Sequence, residues 1–378
     1  MTYSEILHRK DIHISRRTLD RFVQQPRLPG RRTREAKTPR DKMPKPTFAT
    51  PLPQSMRSEI LEWKFPKPFQ QYVLTGRSRA AWHTSFVIPA LNLLLDAGLC
   101  VNKQRPKHIF LTHGHNDHVL LAPAFVKRSD PPDIFCPGEM KAIFEEFIRA
   151  DRLLNLGGHI TVEQADASLL LDSDSDDDEE DTDPKKKPKP STRPRGLLDT
   201  HVTHGLKHGD IVPLRRTRNI TAQAFQCDHS VPCLGYVFSA TTNKLKPEYT
   251  SRPGPELKSL REAGVEITAA VTAPIFAFLG DTTAATLAAS PEWLVNGIPV
   301  VITECSFLRE EHRAQAVKTR HTLWADLEPV IRRWPKTTFV ITHFSMRYKD
   351  EEVRKFFAEM VDPPGNIVVW VDGYEGDD

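Results

Sequence analysis

Thr112-His113-Gly114-His115-Asn116-Asp117-His118 sets three imidazoles and a carboxylate within six residues, in the pattern H-x-H-x-D-H. Neutral imidazole nitrogen and carboxylate oxygen are the ligands that a borderline cation such as Zn²⁺ prefers. His113 and His115 lie two apart and can point the same way from an extended segment, whereas Asp117 and His118 begin a new turn and can face a second ion. One short loop can therefore serve two metals. The flanks read as a buried strand over 107–111 and the start of an apolar helix over 119–126, so the ligands are expected at the carboxyl end of a strand. A chance grouping of core or solvated histidines is the plain alternative. With only 15 His in 378 residues it is the weaker one.

No zinc-finger pattern competes. The five cysteines, Cys100, Cys136, Cys227, Cys233 and Cys305, contain no C-x₂-C pair. Their odd number and scatter suit a reducing compartment better than a disulfide framework.

A chain of 378 residues with 39% hydrophobic content can bury one large core or two moderate ones. Its first 60 residues carry 14 Lys or Arg against 6 Asp or Glu, with repeated prolines and few apolar residues. A basic, disordered arm over 1–65 is expected, followed by a folded domain over 66–378. The net charge of +3 averages over blocks of opposite sign, so it says little about partners. No apolar run approaches the roughly 20 residues of a membrane helix, and the N-terminus lacks the apolar stretch of a secretory signal. These features predict an intracellular protein without membrane contact, nuclear or cytoplasmic. The arginines and serines of the arm also fit a mitochondrial presequence, although Glu5, Asp11 and Asp20 count against it.

Short strands are expected over 71–74, 83–89 and 92–96, before the metal-loop strand, and over 133–136 after it. Met140, Ile143, Phe144, Phe147 and Ile148 fall at helical spacing and predict an amphipathic helix packed on a sheet. Residues 172–183 hold nine acidic residues in twelve and lead directly into the basic, proline-rich 184–195. Neither block can form a core, so 170–196 is expected to be a disordered insert. Pro184-Lys185-Lys186-Lys187-Pro188-Lys189 reads equally as a nuclear import signal or as part of a solvated loop. Strands follow over 220–225, 234–239 and 275–279, with a short helix over 255–263. The pattern then alternates, with strands over 300–303, 338–342 and 367–371 and helices over 323–334 and 353–360. A strand-rich first half and an alternating second half suggest two sheets sandwiched between helices.

Ligand-type residues recur where apolar strands end. His229 follows one strand, Asp281 ends Phe278-Leu279-Gly280, Glu304 ends Val301-Ile302-Thr303, and His343 ends Val340-Ile341-Thr342. Taken singly, each is more often a cap or a satisfied polar group. Taken with the metal loop they supply what two ions need. His113, His115 and His229 can hold one ion, Asp117, His118 and His343 the other, and Asp281 can bridge them.

These residues resemble the metallo-β-lactamase superfamily and, within it, the tRNase Z family. The narrower resemblance rests on Asp228-His229-Ser230-Val231-Pro232 with Leu234-Gly235-Tyr236, on Phe278-Leu279-Gly280-Asp281-Thr282-Thr283, on Thr303-Glu304-Cys305-Ser306-Phe307, on His321-Thr322, and on Thr342-His343-Phe344-Ser345-Met346-Arg347-Tyr348. Lys244-Leu245-Lys246-Pro247-Glu248-Tyr249 and Gly264-Val265-Glu266-Ile267-Thr268 are similar to the plant-type short form. The resemblance implies a four-layer αββα sandwich of the α/β class, two Zn²⁺ per chain, and an endoribonuclease that removes 3′ trailers from precursor tRNA. It implies that His113, His115, Asp117, His118, His229, Asp281 and His343 bind metal, with Asp117 also among the catalytic residues. It further implies that Glu304 orients His321, which assists at the leaving oxygen. A departing ribose oxygen needs a proton and imidazole titrates near working pH, so the chemistry of the residues agrees. His321 also has a plain reading as a polar residue at a helix start. The resemblance implies a homodimer in which an arm over 240–270 of one subunit holds the tRNA cut by the other. Lys244, Lys246, Lys258 and Arg261 are the candidate RNA contacts. Two departures stand out: Arg320 occupies a position where the family commonly has glycine, and Val119-Leu120-Leu121 replaces small residues after His118.

The rival is a small-molecule phosphodiesterase or a thioesterase on the same fold, since fold does not fix substrate. The basic material between His229 and Asp281 favours a polyanion. A β-CASP nuclease needs a further domain before the late histidines, for which there is no room. A non-catalytic RNA-binding paralogue would be expected to have lost ligands, and none is lost.

Overall fold

Alternation along the strands sorts the apolar residues into three core layers. Leu93, Leu95 and Phe110 point to one side of their sheet, whereas Leu94 and Ile109 point to the other. Val300, Ile302 and Val340 likewise part from Val301, Phe339 and Ile341. Successive side chains on a strand face opposite ways, so a strand buried on both faces must be apolar throughout and must have partners on both sides. The structure, a computed structural model, describes residues 48–55, 58–101, 104–126, 130–155 and 201–372.

One sheet runs in simple order β1 (Leu52–Pro53), β2 (Leu61–Lys64), β3 (Val73–Arg79), β4 (His83–Ile88), β5 (Leu93–Leu95), β6 (His108–Phe110), β7 (Asp133–Pro137), β8 (Val202–Leu206). It is antiparallel through β5 and parallel from β5 to β8. The second sheet has the order β15-β14-β13-β12-β11-β10-β9, built from β9 (Ile211–Pro213), β10 (Ile220–Gln226), β11 (Leu234–Leu245), β12 (Thr268–Phe278), β13 (Val300–Glu304), β14 (Thr338–Thr342) and β15 (Ile367–Val369). It is antiparallel from β9 to β12 and parallel from β12 to β15.

Phe86, Phe110, Phe238, Phe276, Phe278 and Trp370 fill the space between the sheets. The outer face of the first sheet is covered by α1 (Asn116–Val119) and α2 (Lys141–Asn155), through Val119, Phe144 and Ile148. The short α3 (Gly254–Glu262) follows β11, and α4 (Arg313–Thr319) follows β13. The outer face of the second sheet is covered by α5 (Trp324–Arg333) and α6 (Asp350–Ala358), through Leu327, Ile331, Val353 and Phe357. Each such side chain contributes roughly 1.5–3 kcal/mol relative to exposure. The expected αββα layering is what this packing produces. No helix among the described residues is long and apolar enough to cross a membrane.

Three expectations change. The arm was expected to extend to residue 65, but Phe48, Leu61 and Phe65 are buried and β1 and β2 extend the first sheet, while Ala49 bridges to Val368. These scattered apolar residues show no period of their own, and only the sheets supply their partners. Residues 1–47 and the insert over 170–196, with its lysine cluster, lie outside the described residues. Ile143 is 74% exposed. It sits about 100° round α2 from Phe144, beyond the stripe formed by Met140, Phe144, Phe147 and Ile148. The apolar run after His118 forms only the single turn α1 and a 3₁₀ turn over Ala122–Phe125, with Pro123 inside it. Proline has no N–H to continue a helix.

Candidate functional site

Chemistry-bearing residues gather where parallel strands of both sheets end. His113 and His115 follow β6, with Asp117 and His118 on α1; Asp281 follows β12, Glu304 ends β13, and His343 follows β14. His229 comes from the turn after β10. Gly280 lets Asp281 approach the metal loop: its φ is +62°, and a Cβ there would meet the Thr112 side chain at 2.5 Å. His343 also takes a left-handed backbone, with φ +61°. Such a conformation costs a non-glycine residue about 1–3 kcal/mol and persists where the surroundings over-determine it.

The seven residues form two groups about one carboxylate. His113 Nε2 is 3.0 Å from His115 Nδ1, and His229 Nε2 is 3.3 Å from the same nitrogen. Asp281 Oδ2 lies 3.6 Å from His113 Nε2 and 4.0 Å from His229 Nε2. On the other side, Asp281 Oδ1 is 3.3 Å from both His118 Nε2 and His343 Nε2, and Asp117 Oδ2 is 3.3 Å from His343 Nε2. His113, His115, His229 and Asp281 thus have donor atoms within 4.8 Å of one another, as do Asp117, His118 and His343. This is the division expected from the loop, with Asp281 between the two.

The hydrogen bonds behind the ligand atoms assign the tautomers. Thr112 Oγ1 donates to Asp96 and is left to accept from His113 Nδ1 at 3.0 Å. His118 Nδ1 donates to Asp96 Oδ2 at 2.7 Å, His229 Nδ1 to the Arg320 carbonyl at 3.0 Å, and His343 Nδ1 to Ser306 Oγ at 3.1 Å. With each Nδ1–H committed, Nε2 of His113, His118, His229 and His343 faces the centre. Burial would lower His118, but the Asp281 and Asp96 carboxylates reverse this and hold it well above the ordinary imidazole range, so without a cation its Nε2 carries a proton. Asp117 Oδ2 is held by the Ala81 N–H at 2.8 Å.

Facing lone pairs 3.0 to 3.3 Å apart are unfavourable unless a proton or a cation lies between them. Oδ1 of Asp281 is buried between His118 Nε2 and His343 Nε2, each 3.3 Å away. A convergent, largely buried donor set of imidazole and carboxylate fits divalent cations and accounts for both observations.

The electrostatics are those of a charge-dense, buried cluster. Burial pushes His113 well below the ordinary imidazole range, and the neighbouring His118 adds to the effect. Burial would raise Asp281, but His343 and His118 outweigh it and hold the carboxyl well below its usual range. For Asp117, the His343 hydrogen bond and the nearby His118 overcome the burial effect and bring it to about 2. Both carboxylates are therefore ionised at neutral pH.

Beside the cluster, Glu304 Oε1 accepts from His321 Nδ1 at 2.7 Å and from the Thr282 N–H at 2.8 Å. Its Oε2 accepts from Ser306 Oγ at 2.6 Å and from the Thr322 N–H at 3.2 Å. Burial would lower His321, but the Glu304 carboxylate reverses this and raises it to about 9. His321 does not open a helix. It lies between α4 and α5, after Arg320, whose φ of +52° explains why glycine is the easier residue there. Arg320 also donates through Nη1 to the His229 carbonyl at 3.1 Å. His321 and His343 form a third possible donor group with Asp281.

Sequence reasoning passed over Asp96 and Ser306. Asp96 ends the apolar run Leu93-Leu94-Leu95, the same signal that marks Asp281 and Glu304. Ser306 carries no such signal and is found only through its contacts.

The candidate RNA contacts sit elsewhere. β11 and β12 pair, through a bulge that shifts the register between Phe238 and Ser239, as far as Leu245 and Thr268, well past their neighbours, and α3 lies between them in sequence. Lys244, Lys258 and Arg261 are exposed and Lys246 is half-buried. Lys258 pairs with Glu262 at 3.8 Å, and Arg252 lies 5.4 Å from the Tyr249 ring centre. The other end of β11 bonds the metal loop, Leu234 N–H to Thr112 O at 3.0 Å, so the strand spans about 36 Å from the centre to this tip.

Residues 93–217 match the Metallo-beta-lactamase superfamily. The chain is 27% identical over 299 residues to tRNase Z TRZ2, chloroplastic, of Arabidopsis thaliana, covering 76% of this chain and 71% of that protein. It is 24% identical over 322 residues to tRNase Z TRZ1 of the same plant, covering 83% and 100%. Nuclear ribonuclease Z of Triticum aestivum is 28% identical over 207 residues, covering 53% of this chain and 94% of the wheat protein.

Proposed function

We infer that this chain, which carries a metallo-β-lactamase domain and is similar over most of its length to plant tRNase Z proteins, is a metal-dependent endoribonuclease that hydrolyses a phosphodiester to remove 3′ trailers from precursor tRNA. The observation that carries the reading is Asp281, whose two oxygens face two separate imidazole groups beside the Glu304–His321 pair.

His113, His115 and His229 would hold one Zn²⁺, Asp117, His118 and His343 a second, with Asp281 shared. When bound, such a pair supplies Lewis acidity at the phosphoryl centre and favours ionisation of an attacking water. The protein's own groups do the rest. Asp281 and Asp117 remain anionic, and the Nδ1–H hydrogen bonds of His113, His118, His229 and His343 keep each Nε2 turned to the centre, where a bound cation would take the place of the His118 Nε2 proton. Glu304 turns His321 so that Nδ1 is occupied and Nε2 is left for a substrate oxygen. With its proton favoured by Glu304, His321 delivers it to the departing 3′ oxygen. Cleavage of a precursor tRNA by zinc-loaded protein, compared with a generic phosphodiester, tests the reading. Activity confined to the small ester would favour the small-molecule hydrolase instead.

Asp96 is a supporting residue for this function. It is fully buried and accepts the His118 Nδ1–H and the Thr112 N–H. Asp96→Asn is expected to weaken metal binding by about 10–100-fold, read by competition with a chromogenic chelator. Unchanged affinity would remove Asp96 from the role.

The extended β11–β12 arm, in a homodimer, would grip the tRNA backbone of the substrate cut by the other subunit. Replacing Lys244, Lys246, Lys258 and Arg261 with Ala should weaken tRNA binding and reduce the salt slope by roughly one per lost phosphate contact. Hydrolysis of a small phosphodiester should be spared. Equal loss of both activities would make the arm structural.

A further inference from the structure

The loop between β3 and β4 is Ala80-Ala81-Trp82, and it is fastened to the centre from both sides. The Ala81 N–H bonds Asp117 Oδ2 at 2.8 Å, and the Ala80 N–H bonds the Phe344 carbonyl at 3.2 Å, next to His343. Arg79, at the end of β3, donates to the carbonyls of Ser345 and Tyr348. Ala81 adopts φ +61°, so the loop holds a conformation that alanine does not favour. A rigid loop of this kind places the following side chain, and that side chain is Trp82, 51% exposed.

Trp82 is supported from behind. The Arg77 guanidinium lies 5.7 Å from its ring centre, and Arg77 is itself pinned by the Glu59 carbonyl at 3.0 Å and carboxylate at 3.7 Å. The His83 ring packs at 4.4 Å, tilted by 52°. The indole therefore has fixed partners yet leaves half of its surface to solvent. Leu120, two residues after His118, and Met346, three after His343, are each 54% exposed. Exposed apolar side chains thus stand within three residues in sequence of His118 and His343. Water-exposed apolar area at a catalytic rim suits an occupant that is itself flat and apolar, and a small charged ester offers no such surface.

We propose that Trp82 is a stacking platform for an unpaired nucleobase next to the scissile phosphate, a specificity-determining residue of the ribonuclease. This rests on the endoribonuclease reading above. Trp82 is the residue after the one whose amide holds Asp117, so an RNA strand with its phosphate at the Asp117–Asp281 centre carries its neighbouring base within one nucleotide's reach of the indole. Every base has a π-face, so the platform favours unpaired nucleotides at the cut and is tolerant of their identity. Arg77 behind the ring fixes its orientation through a cation–π contact.

The test compares wild type, Trp82→Ala and Trp82→Phe on precursor tRNAs that carry a single abasic nucleotide at each position flanking the cut. Stacking is worth about 1–3 kcal/mol per base, so Trp82→Ala should raise KM on the intact substrate about 5- to 150-fold. Trp82→Phe should recover most of this. At one abasic position, and only there, the difference between wild type and Trp82→Ala should vanish. Quenching of tryptophan fluorescence by an unpaired oligonucleotide, lost in Trp82→Ala, is the direct readout. A KM unchanged by Trp82→Ala, or an equal penalty with every abasic substrate, overturns the platform while leaving the ribonuclease reading in place. Trp82-dependent quenching without any cleavage of precursor tRNA would sink the ribonuclease reading and keep the platform. Neither quenching nor cleavage would overturn both.

Discussion

His321→Ala is expected to keep its bound metal and to lose about 10² to 10⁴ in turnover on precursor tRNA. The expectation follows from what holds His321. Its Nδ1 is 2.7 Å from Glu304 Oε1, and Glu304 is anchored by backbone N–H groups of Thr282, Ser306 and Thr322. A ring held in this way has its Nδ1 committed to a carboxylate, which under the proposed reading leaves it to serve as a proton donor. A substrate with a good leaving group needs little protonation, so there the same variant should be much less impaired. The pH profile gives a second check. The proton must be present for donation, so turnover on a poor leaving group falls as pH rises through the His321 pKa. Glu304 lifts that value to about 9 in the protein alone, and neighbouring cations push it down. The alkaline limb is therefore expected at or below pH 9 in wild type and should be absent in His321→Ala. Glu304→Gln should fall between, since it keeps a hydrogen bond to the imidazole but removes the charge that favours its protonated form. Asp281, His321 and His343 also lie within coordinating distance of one another. Loss of metal from His321→Ala, or equal loss on good and poor leaving groups, would make His321 a ligand or a structural group and remove it as the acid.

Asp281→Ala should behave in the opposite way, losing metal and activity together and losing good and poor leaving groups alike. Its two oxygens lie 3.3 Å from His118 and His343 and 3.6 Å from His113, so one truncation takes an anion from both groups. What remains is a packed set of imidazoles with no central counter-charge, since Asp117 stands on one side only. The metal-affinity loss should exceed the about 10–100-fold expected for a supporting residue such as Asp96, and cleavage should drop below that of His321→Ala. Metal content per folded chain, with circular dichroism to establish folding, is the measurement. A folded Asp281→Ala that retains a full metal complement would overturn the two-group reading. Asp281→Asn, nearly the same in shape, separates loss of charge from loss of volume.

Much of this was legible in the linear chain because its information is local. A loop of four ligand-type residues in six needs no tertiary contact to be recognised. Strands buried on both faces read as apolar runs, and the polar residue that ends each run marks the sheet edge where ligands collect. Asp281, Glu304 and His343 were identifiable for that reason, and Asp96 carried the same mark. The ends of elements were less legible. β11 and β12 continue several residues past their apolar portions, because backbone pairing along a two-stranded arm does not require buried side chains.

The sequence by itself determined the chemistry: an imidazole and carboxylate donor set, the alternation that stacks two sheets between helices, and a basic stretch between two ligand segments. Only the tertiary structure decided that Asp281 turns one oxygen to each group and that Ser306 links Glu304 to His343. It also brought Phe48, Leu61 and Phe65 into the core, left Ile143 outside it, and set the Ala81 amide against Asp117. The reason is distance along the chain. His118 and His343 stand 225 residues apart and their ring nitrogens meet at 3.3 Å. No pattern within a window of a dozen residues can contain such a contact, which exists only because two sheets, each stabilised by its own alternation, pack with the carboxyl ends of their parallel strands together.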